Sequence, residues 1–136
     1  MTASAACFLG YVAWTFLLSF GLAAARFAAM ASEGRLANSF VADGTDLKPL
    51  GHRATRAQGN SLEWLVIPAA LLLFAMATGQ TALTDATAPL ALGARIAQST
   101  THLISTSPRA VLLRGSFLGT QLAIWIFWTV RFVVAG

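Results

Sequence analysis

Arg53-Ala54-Thr55-Arg56-Ala57-Gln58-Gly59-Asn60-Ser61-Leu62-Glu63 runs straight into Trp64-Leu65-Val66-Ile67-Pro68-Ala69-Ala70-Leu71-Leu72-Leu73-Phe74, the second strongly apolar stretch of this chain. Read as a helix at about 100° per residue, the segment puts Arg56, Asn60 and Glu63 in one narrow stripe, with Arg53 at its edge. Polar groups at the mouth of a membrane helix are costly and need partners or a purpose. A cation, an amide and a carboxylate on one helical face form a grip suited to a small zwitterion.

Composition extends that reading to the whole chain. Of its 136 residues, 57% are hydrophobic and only 10% charged, with a mean hydropathy of +0.68. So little polar material cannot clothe a soluble domain of this size. Runs of about 20 apolar residues have the length a bilayer asks of a helix. The expected class is all-α: one domain over residues 1–136, a polytopic four-transmembrane-helix bundle of up-down topology. Continuous rather than alternating apolar runs exclude a membrane β-barrel. Cys7 is the only cysteine, so no intrachain disulfide exists. Ala5 to Ala25 follows no basic segment and reads as a retained first span rather than a cleaved signal.

The first span is expected over about Ala5–Met30, followed by a loop from Ser32 to Pro49 with turn chemistry at Asp43-Gly44-Thr45-Asp46 and Lys48-Pro49. The second is expected over Gly51–Thr78, kinked at Pro68. The third, Ala82–Ile104, carries Asp85, Pro89, Arg95, Gln98 and His102 and has to turn its polar side to protein. Asp85 reads as an early-turn helix residue there. The fourth, Ala110–Val134, follows a short Ser105–Pro108 turn and is dense in Phe and Trp. Eight of the nine Lys and Arg residues, all but Arg131, then fall on the side of the first and third loops. The positive-inside bias makes those loops cytoplasmic and both termini non-cytoplasmic.

Three polar clusters converge on the cytoplasmic half: the second-helix stripe, then Arg95, Gln98 and His102 on one face of the third helix, then Arg114 one turn inside the fourth. Each has a plainer reading. Arg53, Arg56 and Arg114 suit interfacial anchors that snorkel to headgroups, Asn60 suits helix–helix contact, and Arg95 and Gln98 suit bundle packing. Glu63 resists this treatment, because a carboxylate is no anchor and sits a turn inside the apolar run. His102 has only His52 for company and no cysteine or acidic pair at ligand spacing, so no metal site is expected. The basic residues belong to membrane topology and form no nucleic-acid face. No Ser-His-Asp set or phosphate loop is present.

The string Arg56-Ala57-Gln58-Gly59-Asn60-Ser61-Leu62-Glu63-Trp64, with the apolar run and Pro68 behind it, resembles the Arg-Ala-x-x-Asn-x-x-Glu signature of MAPEG, the membrane-associated proteins in eicosanoid and glutathione metabolism. The layout, the length and the later Arg95 and Arg114 are similar to that family along essentially the whole chain. The resemblance implies a homotrimer of four-helix protomers in the lipid bilayer, with glutathione as co-substrate held between neighbouring subunits. Arg56, Asn60 and Glu63 then hold the tripeptide with Gln58 nearby, Arg114 is the catalytic residue facing the thiol, and either Arg26 or Arg35 joins them. Arg53, Arg95, Gln98 and His102 complete the expected binding set. Gln98 and His102 stand where glutathione-using members often have tyrosines.

The activity expected is that of a membrane-bound glutathione transferase or peroxidase-like protein acting on hydrophobic small-molecule electrophiles. The alternative on the same fold is a non-catalytic lipid-binding or scaffolding protein. A small four-span exporter fits poorly, since no carboxylate lies between Ala5 and Arg26.

Overall fold

The computed structural model describes residues 1–135 and contains four long helices: α1 (Ala3–Glu33), α2 (Pro49–Ala77), α3 (Ala88–Ile104) and α4 (Pro108–Ala135), with a short 3-10 turn at Thr81–Leu83 before α3. Local chemistry sets the ends. The Thr2 side chain accepts the Ala5 N–H at the start of α1, and Gly34 closes it in the left-handed conformation, φ 65°, with its N–H on Met30 O. Pro49 occupies the first turn of α2, where a missing N–H is harmless. The helix continues through Pro68, which lies buried inside it.

α1, α2 and α4 are each long and apolar enough to cross a membrane. α3 is the exception. It has 17 residues, about 25 Å at 1.5 Å per residue, and begins six residues later than the sequence suggests. Residues 84–87 turn instead of coiling, and Pro89 tolerates a helix only from its own first turn onward. Asp85 is therefore not in a helical turn of α3. Its Oδ1 accepts the Ser4 N–H at 2.8 Å and the Ser4 hydroxyl at 2.6 Å, tying the start of α1 to the approach to α3. Ser4 and Thr84 share a further hydroxyl contact at 2.6 Å, and Trp128 of α4 donates to Thr87 Oγ1 at 2.7 Å.

The core between the helices is built on Tyr11, Leu72, Ala91, Trp125 and Trp128. Alanines at 88, 91 and 94 let α3 approach closely, and a Cβ on Gly10 of α1 would come within 2.6 Å of the Leu92 side chain. Small residues at contacts are how helices associate when the surroundings are as apolar as the contact. Outside, Phe20, Val66, Leu112 and Val133 stand exposed, the surface expected where the solvent is hydrocarbon.

Candidate functional site

The stripe on α2 faces out of the helix bundle. Arg56, Gly59 and Glu63 are exposed and Asn60 is half-buried. Glu63 lies about 20 Å along α2 at 1.5 Å per residue, between the exposed Leu62 and Val66. Among the described residues the ion pairs are Arg35–Asp46 and Lys48–Glu33, so this carboxylate has no cation of its own chain.

Two arginines flank the stripe at the end of α3. Arg53 Nε donates to Leu103 O at 2.7 Å, and Arg114 Nη1 to Ser105 O at 3.3 Å. Both satisfy carbonyls that a helix C-terminus leaves free, and both place cations at the negative end of its dipole. The charges of Arg114, Arg56 and Arg95 all bear on the half-buried His102. Arg53, Arg56, His102 and Arg114 thus gather at one end of the bundle, as their spacing suggests.

The remaining expected residues go elsewhere. Arg95 and Gln98 turn into the bundle, 1% and 3% exposed. Arg95 Nη1 donates to Asn60 Oδ1 at 3.1 Å, so it reaches the stripe only through Asn60. Gln98 accepts from Gln121 Nε2 at 2.9 Å, a partner on α4 that helical spacing alone does not reveal.

Gln58 points to the opposite side of α2 from Arg56 and Glu63. It lines a cavity of about 310 Å³ with Ser19, Leu22, Arg26, Met30 and Phe40. Arg26 there has its Nε without a partner, and its guanidinium stands 5.7 Å from the Phe40 ring centre. Arg35 is already engaged. It pairs with the Asp46 carboxylate, donates to Asp46 O at 2.8 Å and to Ser39 O at 3.1 Å, and packs on Phe40. The Arg35 hydrogen bond holds the Asp46 carboxyl below its ordinary range. This knot folds the loop between α1 and α2 over the mouth of α1, and Gly44 (φ 71°) seats it against Thr55. The Arg35–Asp46 pair joins residues 11 apart in an irregular loop, for which no periodicity in the sequence gives a signal.

An all-helical protein, three of whose helices are long and apolar enough to cross a membrane, fits the class of α-helical integral membrane proteins. The MAPEG family model matches residues 4–133, nearly the whole chain, and the protein belongs to that family. No curated protein and no solved structure matches the chain.

Proposed function

We propose that the protein is a four-span, trimeric glutathione transferase or peroxidase-like enzyme whose site forms between neighbouring copies. The observation that carries this reading is the unpaired Glu63 carboxylate, exposed on an apolar helix face together with Arg56 and Asn60. A lone carboxylate facing hydrocarbon is expensive. A ligand ammonium, shielded by an adjoining subunit, removes that cost.

The division of the polar residues supports assembly. Arg56, Asn60 and Glu63 lie on one side of α2, while Gln58 and Arg26 lie on the other. No single small ligand touches both sides of one helix. Two copies of α2, each presenting a different face, bring the two sets to one ligand. Glutathione matches in charge: arginine forks suit its two carboxylates, and Glu63 suits its ammonium. Of the two helix-one candidates we assign Arg26, because Arg35 is spent on Asp46.

In this reading Arg114 raises the thiolate fraction of a thiol whose free pKa is about 8.5. The thiolate attacks an electrophilic carbon from the bilayer, forming a C–S bond while the leaving group departs with its electron pair. With a lipid hydroperoxide it takes the terminal oxygen, and a second glutathione then gives disulfide, alcohol and water. His102 and the arginines sit on the side of the first and third loops, which the charge bias makes cytoplasmic.

Calorimetric titration of the detergent-solubilised protein with glutathione tests the reading. Saturable binding, with an ultraviolet thiolate band that Arg114→Ala removes, supports it. Absence of binding, with fatty-acid affinity retained, favours the lipid-binding alternative.

A further inference from the structure

Arg95 is one of the residues expected to hold a ligand, yet at 1% exposure it lies sealed inside the bundle. It cannot touch a molecule bound on the outer face of α2. What it touches is Asn60. Its Nη1 donates to Asn60 Oδ1 at 3.1 Å, from α3 to α2 and across 35 residues of sequence. Asn60 is the half-buried member of the outward stripe, with the exposed Arg56 four residues before it and the exposed Glu63 three after.

A primary amide has two ends of nearly the same shape and opposite function: an oxygen that accepts and an NH2 group that donates. Left alone, such a side chain turns about its last bond and shows a ligand either end. A guanidinium carries donors only, so the end of Asn60 that meets Arg95 has to be the oxygen, and the NH2 group points away from it. A hydrogen bond from a charged donor is about twice as strong as a neutral one, and burial strengthens it further. The opposite orientation would set N–H groups against a buried cation. The bundle therefore orients the amide before any ligand arrives.

We propose that Arg95 is a positioning residue that locks Asn60 with its NH2 group toward the outer stripe, so that Arg56, Asn60 and Glu63 read donor, donor, acceptor. At 1.5 Å per residue these lie about 6 Å and then about 4.5 Å apart along α2. The place opposite Asn60 takes a carboxylate or carbonyl oxygen and rejects an N–H group or an ammonium, which is left to Glu63. Arg95 itself stays inside; only its hold on the amide reaches the ligand. The assignment rests on the stripe being the glutathione site proposed above, and adds what selects the ligand atom at Asn60.

The test combines thermal unfolding with calorimetric titration by glutathione, in detergent, for the wild type, Asn60→Asp, Asn60→Ala, Arg95→Met and the Arg95→Met, Asn60→Ala double variant. Asn60→Asp keeps the shape and gives Arg95 a carboxylate, so the unfolding midpoint is expected to hold or rise. Its outer end changes from N–H to oxygen, and glutathione affinity is expected to fall about tenfold or more. Arg95→Met frees the amide to turn. It is expected to weaken binding about threefold when Asn60 is present and to change nothing further in the Asn60→Ala background. At saturating glutathione its thiolate band is expected to keep full intensity, because Arg114 is untouched. Should Arg95→Met not fold, Asn60→Asp decides alone. The proposal is overturned if Asn60→Asp binds glutathione as tightly as the wild type, or if Arg95→Met weakens binding equally with and without the Asn60 side chain. Both are the results of a bond that only braces α2 against α3. A wild type that binds no glutathione overturns the thiol-site reading and this one together, whereas a binding wild type with either of those results overturns this one alone.

Discussion

Where α1 begins and α4 finishes, polar groups close on one another: Ser4 on Thr84 and Asp85, Trp128 on Thr87. At the other end, Arg56 and Glu63 face out of the bundle, and Arg26, which lines a cavity, has its buried Nε without a partner among the described residues. Both ends carry polar side chains within one small bundle: hydroxyls, a carboxylate and an indole at the first, arginines and Glu63 at the second. The first spends them on holding helices together. The second uses Arg35, Asp46, Lys48, Glu33, Arg53 and Arg114 in contacts of its own, but leaves Arg56, Glu63 and the Arg26 Nε unspent among the described residues. That contrast is the physical ground for the site proposed at the second end.

The sharpest break would come at Glu63. Glu63→Gln keeps the shape of the side chain and removes the charge proposed to hold an ammonium. Losing one partner of a desolvated charge pair costs enough to weaken binding about 30-fold or more, and glutathione calorimetry reads it. The midpoint for unfolding should hold or rise, because the variant relieves an unpaired charge. A stability loss with unchanged glutathione affinity would mean that Glu63 braces the assembly instead.

Gly44→Ala is expected to come next. Its φ of 71° is hard for a side chain, and the added Cβ would meet Thr55 Oγ1 at 2.3 Å. Strain at such a position costs about 1–3 kcal/mol. Limited proteolysis of the loop between α1 and α2 should reveal its release from α2, while α3 and α4 stay protected.

The paired end should respond to acid. Hydrogen bonds from the Ser4 hydroxyl and N–H hold the Asp85 carboxyl below its ordinary value of 3.8. Its contribution is therefore complete above that value and is lost as pH falls toward the lower folded one. Ser4→Ala, at a fully buried position, should cost about 1 kcal/mol near neutrality. Asp85→Asn should flatten the part of the acid-induced fall in unfolding midpoint that belongs to this contact, leaving the shares of Asp43 and Asp46, whose carboxyls are also held low.

Much of this was readable from the sequence. The long apolar runs place α1, α2 and α4 within a few residues, because burial in hydrocarbon leaves no other way to satisfy the backbone. Helical angles alone put Arg56, Asn60 and Glu63 together. What periodicity cannot say is which face meets which neighbour. Arg95 shares its helix face with His102, yet lies sealed on Asn60 while His102 stays half-buried near the rim. The late start of α3 was hidden for a similar reason. Asp85 by itself is compatible with a helix; Pro89 sets the start of α3 beyond it, and Ser4, 81 residues away in sequence, holds its carboxylate.

The smallest effect belongs to Lys48 and Glu33, whose contact at 3.3 Å looks like the unspent end's counterpart to Ser4 and Asp85. Their side chains are 76% and 37% exposed, so solvent and salt screen the attraction. Lys48 also occupies the N-cap of α2 without a side-chain capping bond, where a cation opposes the helix dipole. The gain from the pair and the loss to the dipole nearly cancel. Lys48→Ala should change stability by no more than about 0.5 kcal/mol, and less in high salt. If unfolding midpoints showed it costing as much as Ser4→Ala, the end that carries the first loop would be held by its own ion pairs, and the contrast between a spent and an unspent end would collapse.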